Sequence, residues 1–155
     1  RQRQVCIRDR DNYVQKEYVN IGMAVDTEKG LFVPVIKSAD KMGVWEIAKN
    51  VLDMADKARN GALTPNEMQG GCFTVSSLGA IGGNGFTPIV NSPEIGILGV
   101  SKAQIKPVWI DSEFVPRLML PLSLSYDHRL INGGNAGKFL TSIVRLLSDV
   151  RTMIL

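Results

Sequence analysis

Residues 116–134, PRLMLPLSLSYDHRLINGG, decide how this chain is read. Leu122, Leu124 and Tyr126 alternate with Ser123 and Ser125, the period of a strand whose two faces differ in polarity. Asp127-His128-Arg129 follows, then Asn132-Gly133-Gly134. From there Ala136, Phe139, Leu140, Ile143, Val144, Leu147, Val150 and Ile154 recur at helical spacing. A strand therefore runs through a glycine-rich elbow into a long amphipathic helix. The elbow holds the one histidine among 155 residues, at the end of a sheet, where a substrate can approach.

Working upstream, EIGILGVSKAQ, IKPVWI and EFVPRLMLPLSLSYDH read as three strand segments divided by turn residues. CFTVSS is another, with Phe73 and Val75 on one face and Cys72, Thr74 and Ser76 on the other. LGAIGGNGF between them is loop, and FTPIVN a short extended piece. YVNIGMAVD and LFVPVIK flank the turn TEKG as a hairpin, with Pro34 marking an edge strand or a bulge. Gly43 as N-cap, Glu46 three residues on, and Val44, Ile47, Ala48, Val51, Leu52, Ala55 and Ala58 predict a helix that ends at Asn60-Gly61. Thr64-Pro65-Asn66-Glu67 predicts a capped short turn. Strands outnumber helices and short connections dominate. The expectation is an α+β fold, a mixed, largely antiparallel sheet with helices on one face.

Composition narrows the chemistry. The chain is 45% hydrophobic and 21% charged, which suits one globular domain. One histidine and two distant cysteines, Cys6 and Cys72, leave no zinc or disulfide framework, and no metal site is expected. The net charge of +3 is local. Residues 1–10 hold four arginines and one aspartate, which leaves fourteen basic and fourteen acidic groups elsewhere, so neither nucleic acid nor a membrane is an expected partner. Residues 1–11 are read as a truncation edge or foreign scar and residues 12–155 as the folded part. The absence of an N-x-S/T sequon agrees with an intracellular protein.

His128 is the side chain suited to proton transfer near neutral pH. Strand parity places it with Leu122, Leu124 and Tyr126, so a core histidine and a catalytic one both remain open. Ser76 and Ser77 are hydroxyl candidates; no G-x-S-x-G elbow supports a nucleophile, but a serine can donate to an oxyanion. Cys72 has no acidic third group and reads as a small buried residue. The glycines of 79–85 match neither phosphate-loop pattern and read as a turn. Trp45 and Trp109 are assigned to core or subunit contacts.

Four stretches carry a resemblance: 20–36 (NIGMAVDTEKGLFVPVI), 68–83 (MQGGCFTVSSLGAIGG), 86–109 (FTPIVNSPEIGILGVSKAQIKPVW) and 116–134. From about Tyr18 onward the chain resembles the catalytic domain of dihydrolipoamide acyltransferases, the E2 cores of 2-oxo acid dehydrogenase complexes. The resemblance to acetyltransferases of pyruvate dehydrogenase complexes is greatest through 86–102. It implies a chloramphenicol acetyltransferase-like fold, here the C-terminal part of the catalytic domain. It also implies transfer of an acetyl group between dihydrolipoamide and coenzyme A. His128 would be the general base, Ser76 the oxyanion donor, and Asn132, where the family's D-H-R-x-x-D-G motif usually has aspartate, a supporting residue. Coenzyme A would be a substrate through contacts the sequence does not name, and the lipoyl group would ride on a domain outside these residues. The implied assembly is a homotrimer, with the histidine of one subunit meeting the serine of its neighbour. Trimers would build a cubic core that meets the E1 and E3 components through further domains, in the bacterial cytoplasm. Two other readings stand beside it: an E2-like structural core subunit without turnover, and a chloramphenicol acetyltransferase-like enzyme acting on a hydroxyl.

Overall fold

The computed structural model describes residues 5–9, 12–149 and 151. Its strands are β1 (Val5–Asp9), β2 (Asn12–Lys16), β3 (Ile21–Met23), β4 (Val25–Thr27), β5 (Gly30–Phe32) and β6 (Val35–Ile36), then β7 (Phe73–Ser77), β8 (Gly96–Val100), β9 (Gln104–Ile110), β10 (Glu113–Met119) and β11 (Leu122–Tyr126). Two long helices, α1 (Val44–Arg59) and α2 (Gly133–Ser148), complete it. The main sheet has the order β11-β8-β7-β3-β6. β11 and β6 pair antiparallel with their neighbours, whereas β7 is parallel to both β3 and β8. The fold is α+β with a mixed sheet, and β1–β2, β4–β5 and β9–β10 are antiparallel ribbons beside it.

The centre of the sheet is more parallel than the sequence suggested. β3 reaches β7 through a crossover that contains α1, but β4–β6 are inserted before the helix and hide the βαβ spacing. The expected hairpin is present in two pieces: Val25–Thr27 faces Gly30–Phe32, and Ile21–Gly22 faces Val35–Ile36, with Pro34 between them. Pro34 sits next to the edge strand β6, in keeping with its missing donor. The segment 113–126 is two strands in different sheets, divided at Leu120-Pro121. α2 ends at Ser148, so the helical pattern continues past the helix; Val150 and residues 152–155 lie outside the described residues. Residues 1–11, set aside above, supply one strand of a ribbon, Val5–Asp9.

β8 is the core strand. Ile97 and Leu98 are 5% and 8% exposed on opposite faces, each burial worth about 1.5–3 kcal/mol. One face of the sheet carries Phe73, whose ring meets Phe139 of α2 edge-on at 5.6 Å. The other face carries Thr74 and Ser76 and is covered by the loop between β7 and β8. A Cβ at Gly99 would lie 3.0 Å from the Phe86 ring and 3.1 Å from Pro88, so only glycine lets the loop sit this close. Ser123 Oγ donates to the Phe86 carbonyl at 2.6 Å and holds it there.

Helix ends follow sequence. Gly43 is the N-cap of α1, and Gly61 takes φ +66° after its C-cap Asn60. The turn Pro65–Met68 is capped by Glu67, whose carboxylate accepts from the Thr64 N–H and hydroxyl, both at 2.9 Å.

Candidate active site

β11 delivers His128. Its last residue, Tyr126, faces Gly96, and the Asp127 N–H continues the pairing to the Ile95 carbonyl at 2.9 Å. The chain then turns: the Leu130 and Ile131 N–H groups both donate to the Asp127 carbonyl at 3.0 Å. The Asp127 carboxylate accepts from the Arg129 backbone N–H at 3.0 Å and from its guanidinium at 2.8 and 2.6 Å. An Asx turn and a two-pronged ion pair thus fix the residues on either side of His128. The imidazole points outward and is exposed, so the core reading of His128 does not hold. Its ring lies 5.7 Å from that of Tyr126, tilted by 35°.

An open cleft of about 610 Å³ lies against this turn, with His128, Tyr126 and Arg129 on one side and Val90, Ser92 and Glu94 on the other. Glu94 is only 7% exposed. Thr74 Oγ1 donates to its Oε2 at 2.6 Å, and burial pushes the carboxyl up from its usual range while hydrogen bonds from Thr74 and Asn91 pull it back. Sequence reading passed over Glu94, although an acid inside the apolar run 93–100 was a signal of burial with a partner.

Asn132 is the N-cap of α2. Its Oδ1 accepts from the Asn135 N–H at 2.8 Å, which occupies the side chain in holding the helix that follows the elbow. Cys72 is 1% exposed, and burial raises its thiol pKa, as expected of a small buried residue. Trp45 and Trp109 are 89% and 61% exposed, so neither is a core residue of the single chain. Among the described residues no group of three or more His, Cys, Asp or Glu side chains could hold a metal, and no helix is long and apolar enough to cross a membrane.

Ser76 does not join His128 within one chain. It sits in β7 opposite Gly99, toward the end of β8, whereas β11 runs the other way and releases its chain beside Gly96, at the start of β8. Two strand spacings and three residues of rise separate them, about 14 Å at the least. Among the described residues the Ser76 hydroxyl has no hydrogen-bond partner.

The family model of the 2-oxoacid dehydrogenases acyltransferase catalytic domain matches residues 3–155. The chain belongs to this family. The acyltransferase chain is 58% identical over 142 residues to the dihydrolipoyllysine-residue acetyltransferase component of the pyruvate dehydrogenase complex of Pseudomonas aeruginosa, covering 92% of its own length and 26% of the relative's. It thus spans about a quarter of that curated relative. A solved Azotobacter vinelandii dihydrolipoamide acetyltransferase, studied for the roles of a serine, a histidine and an asparagine in its catalytic mechanism, matches at TM-score 0.92 and 50% identity. That match covers 97% of this chain and 63% of the other. The cubic core of a pyruvate dehydrogenase multienzyme complex matches at TM-score 0.92 and 51% identity, with the same coverage. A chloramphenicol acetyltransferase, 14% identical at TM-score 0.53 over 86% of the chain and 64% of its own, shares the fold alone.

Proposed function

We propose that this chain carries the acetyl-transfer chemistry of a pyruvate dehydrogenase complex core, between the thiols of dihydrolipoamide and coenzyme A. The observation that carries the reading is a spacing. Ser76, His128 and Asn132 follow one another at the same intervals as the serine, histidine and asparagine studied in the Azotobacter enzyme.

Two thiols supply the chemistry, one as nucleophile and one as leaving group, and the acetyl group passes directly between them. His128, exposed on a braced turn beside an open cleft, removes the proton of the attacking thiol. Ser76, contributed by a neighbouring subunit, donates its free hydroxyl to the oxyanion of the tetrahedral intermediate. When the intermediate collapses, His128 returns the proton to the departing sulfur. Asn132 holds the N-terminus of α2 and so the far end of the elbow. The placement of Ser76 and His128 at opposite ends of one sheet supports a site shared by two copies.

Assembly has support of its own. β9 and β10 align Ile105, Pro107 and Trp109 with Leu118, Pro116 and Phe114 on one face of a two-stranded ribbon. Ile105, Trp109, Phe114 and Leu118 are 61–74% exposed. Such a ribbon is marginal alone, and its apolar face suits a second copy in a trimer of a cubic core. Encounters with E1 and E3 would fall to other parts of the protein.

Acetyl transfer from acetyl-coenzyme A to dihydrolipoamide, measured on the complete protein that contains this chain and on its His128→Ala variant, tests the reading. Turnover in the wild type that vanishes in the variant is the expected result. No turnover in the wild type would leave a structural core subunit.

A further inference from the structure

The loop between β7 and β8 makes one wall of the cleft that faces His128, with Val90 and Ser92 among its lining. Its ends are bonded to the sheet through the Leu78 N–H and the Ile95 carbonyl, and two side-chain contacts hold its middle. The first, at Phe86 and Pro88, rests on Gly99 and on the Ser123 hydrogen bond. The second is Glu94, which reaches back across the polar face to Thr74.

Glu94 is built in rather than draped over. A Cβ at Gly71 would lie 2.5 Å from its Oε1, and at Gly22 a Cβ would lie 2.6 Å from Thr74 Oγ1 and 3.6 Å from Glu94 Oε1. Two glycines on separate segments thus leave the room that the pair occupies. Thr74 itself is 1% exposed in the middle of the sheet, with β3 and β8 on either side, so its hydroxyl is a rigid donor. Between the two anchors Asn91 is tied to Glu94 itself, its carbonyl accepting from the Glu94 N–H at 2.9 Å and its side chain hydrogen-bonded to the carboxylate, while Ile89 is 89% exposed and Asn91, Ser92 and Pro93 lie at the surface.

We propose that Thr74 and Glu94 act as a positioning pair, which fixes the Val90–Pro93 wall at the distance from His128 that an acyl-carrying arm requires. The pair touches no reacting atom. Its effect is on binding the arm in register with His128, and it therefore rests on the acetyl-transfer reading. The contact needs an acceptor of glutamate length at position 94 and a hydroxyl at position 74; it does not need a charge.

The complete protein tests this with Glu94→Gln, Glu94→Ala, Thr74→Val and the Thr74→Val/Glu94→Ala double variant. Glu94→Ala and Thr74→Val are expected to raise KM for the acyl carrier about tenfold with kcat within about threefold, the pattern of lost uniform binding. Glu94→Gln, which still accepts from Thr74, stays within about twofold of wild type in both constants. The double variant is no worse than Glu94→Ala alone, because the two residues form one contact. Independently of turnover, hydrogen exchange of peptide 86–95 is expected to quicken about tenfold in Glu94→Ala and Thr74→Val, with α2 unchanged. Where Glu94→Ala does not assemble, Thr74→Val against Thr74→Ser carries the same comparison. An unchanged KM, a Glu94→Gln variant as impaired as Glu94→Ala, or unchanged exchange would overturn the proposal. A wild type that does not transfer acetyl would end the functional reading alone, and the exchange measurement would still decide whether the pair fixes the wall.

Discussion

Asp127 receives three hydrogen bonds from Arg129, one from its backbone N–H at 3.0 Å and two from its guanidinium at 2.8 and 2.6 Å. The residue between them, His128, is left facing the cleft. A base displaced by an ångström can lose about a hundredfold in rate, so Asp127→Ala is expected to lower kcat/KM by about 10- to 100-fold. Arg129→Lys, which cannot reproduce the fork, should lose less. Steady-state acetyl transfer measures both; a kcat/KM unchanged in Asp127→Ala would refute the bracing role.

Single substitutions at the three site residues should separate by role. His128→Ala removes the proposed base and is expected to cost about 10²- to 10⁴-fold in kcat. Ser76→Ala removes the proposed oxyanion donor and is expected to cost about 10²- to 10³-fold. Asn132→Ala removes a helix cap, and its main effect should be on stability, about 1 kcal/mol, with kcat reduced far less than in His128→Ala. Asn132→Asp keeps the cap and should be near wild type in thermal melting. Equal kcat losses at positions 128 and 132 would argue for a direct chemical role of Asn132.

The apolar ribbon predicts a coupling between assembly and activity. Trp109 and Phe114 meet edge-on at 4.9 Å on its exposed face. Trp109→Asp should shift the protein to smaller species in sedimentation velocity. Activity should fall with it, although neither Ser76 nor His128 is touched. Full assembly in Trp109→Asp would remove the ribbon from the interface.

A pH prediction follows from Glu67. Hydrogen bonds from Lys57 at 2.6 Å and from Thr64 lower its carboxyl to about 2. A carboxyl depressed in the fold contributes stability that is complete above its unfolded value, 4.5, and is lost as pH falls toward about 2. The capped turn Pro65–Met68 should therefore loosen over that window, read as hydrogen exchange of its amides. Glu67→Gln should flatten the dependence. An unchanged pH dependence in Glu67→Gln would show that other groups govern it.

Cys72 should be inert. Its thiol pKa is raised by burial and its Sγ donates to the Tyr18 carbonyl at 3.6 Å. Cys72→Ala is expected to retain kcat within about threefold, the range of a residue outside the chemistry. A loss as large as that of His128→Ala would place the thiol in the chemistry.

Much of the local structure was legible. α1 starts after Gly43 and stops before Gly61, as its spacing and glycines indicated, and the elbow opens α2 at Asn132. These features depend on residues within a few positions of one another. The parallel pairings of β7 were not legible, because the inserted ribbon between β3 and α1 breaks the spacing that marks a crossover. Strand parity grouped His128 with Leu122, Leu124 and Tyr126; its ring does lie beside that of Tyr126, but it is exposed rather than buried. Parity holds only while the strand continues, and the strand ends at Tyr126, where the Asp127 turn takes over.

The sequence by itself determined which groups could do chemistry, because the one histidine, the serine of CFTVSS and the Asn-Gly-Gly elbow stand in fixed order along the chain. Tertiary structure decided where those groups lie. β7 runs with β8 and β11 against it, so Ser76 and His128 reach opposite ends of one sheet. It also buried Glu94 against Thr74, twenty residues away. Strand direction and the burial of a charge depend on which distant segments pack together, and a local pattern of residues carries no record of that.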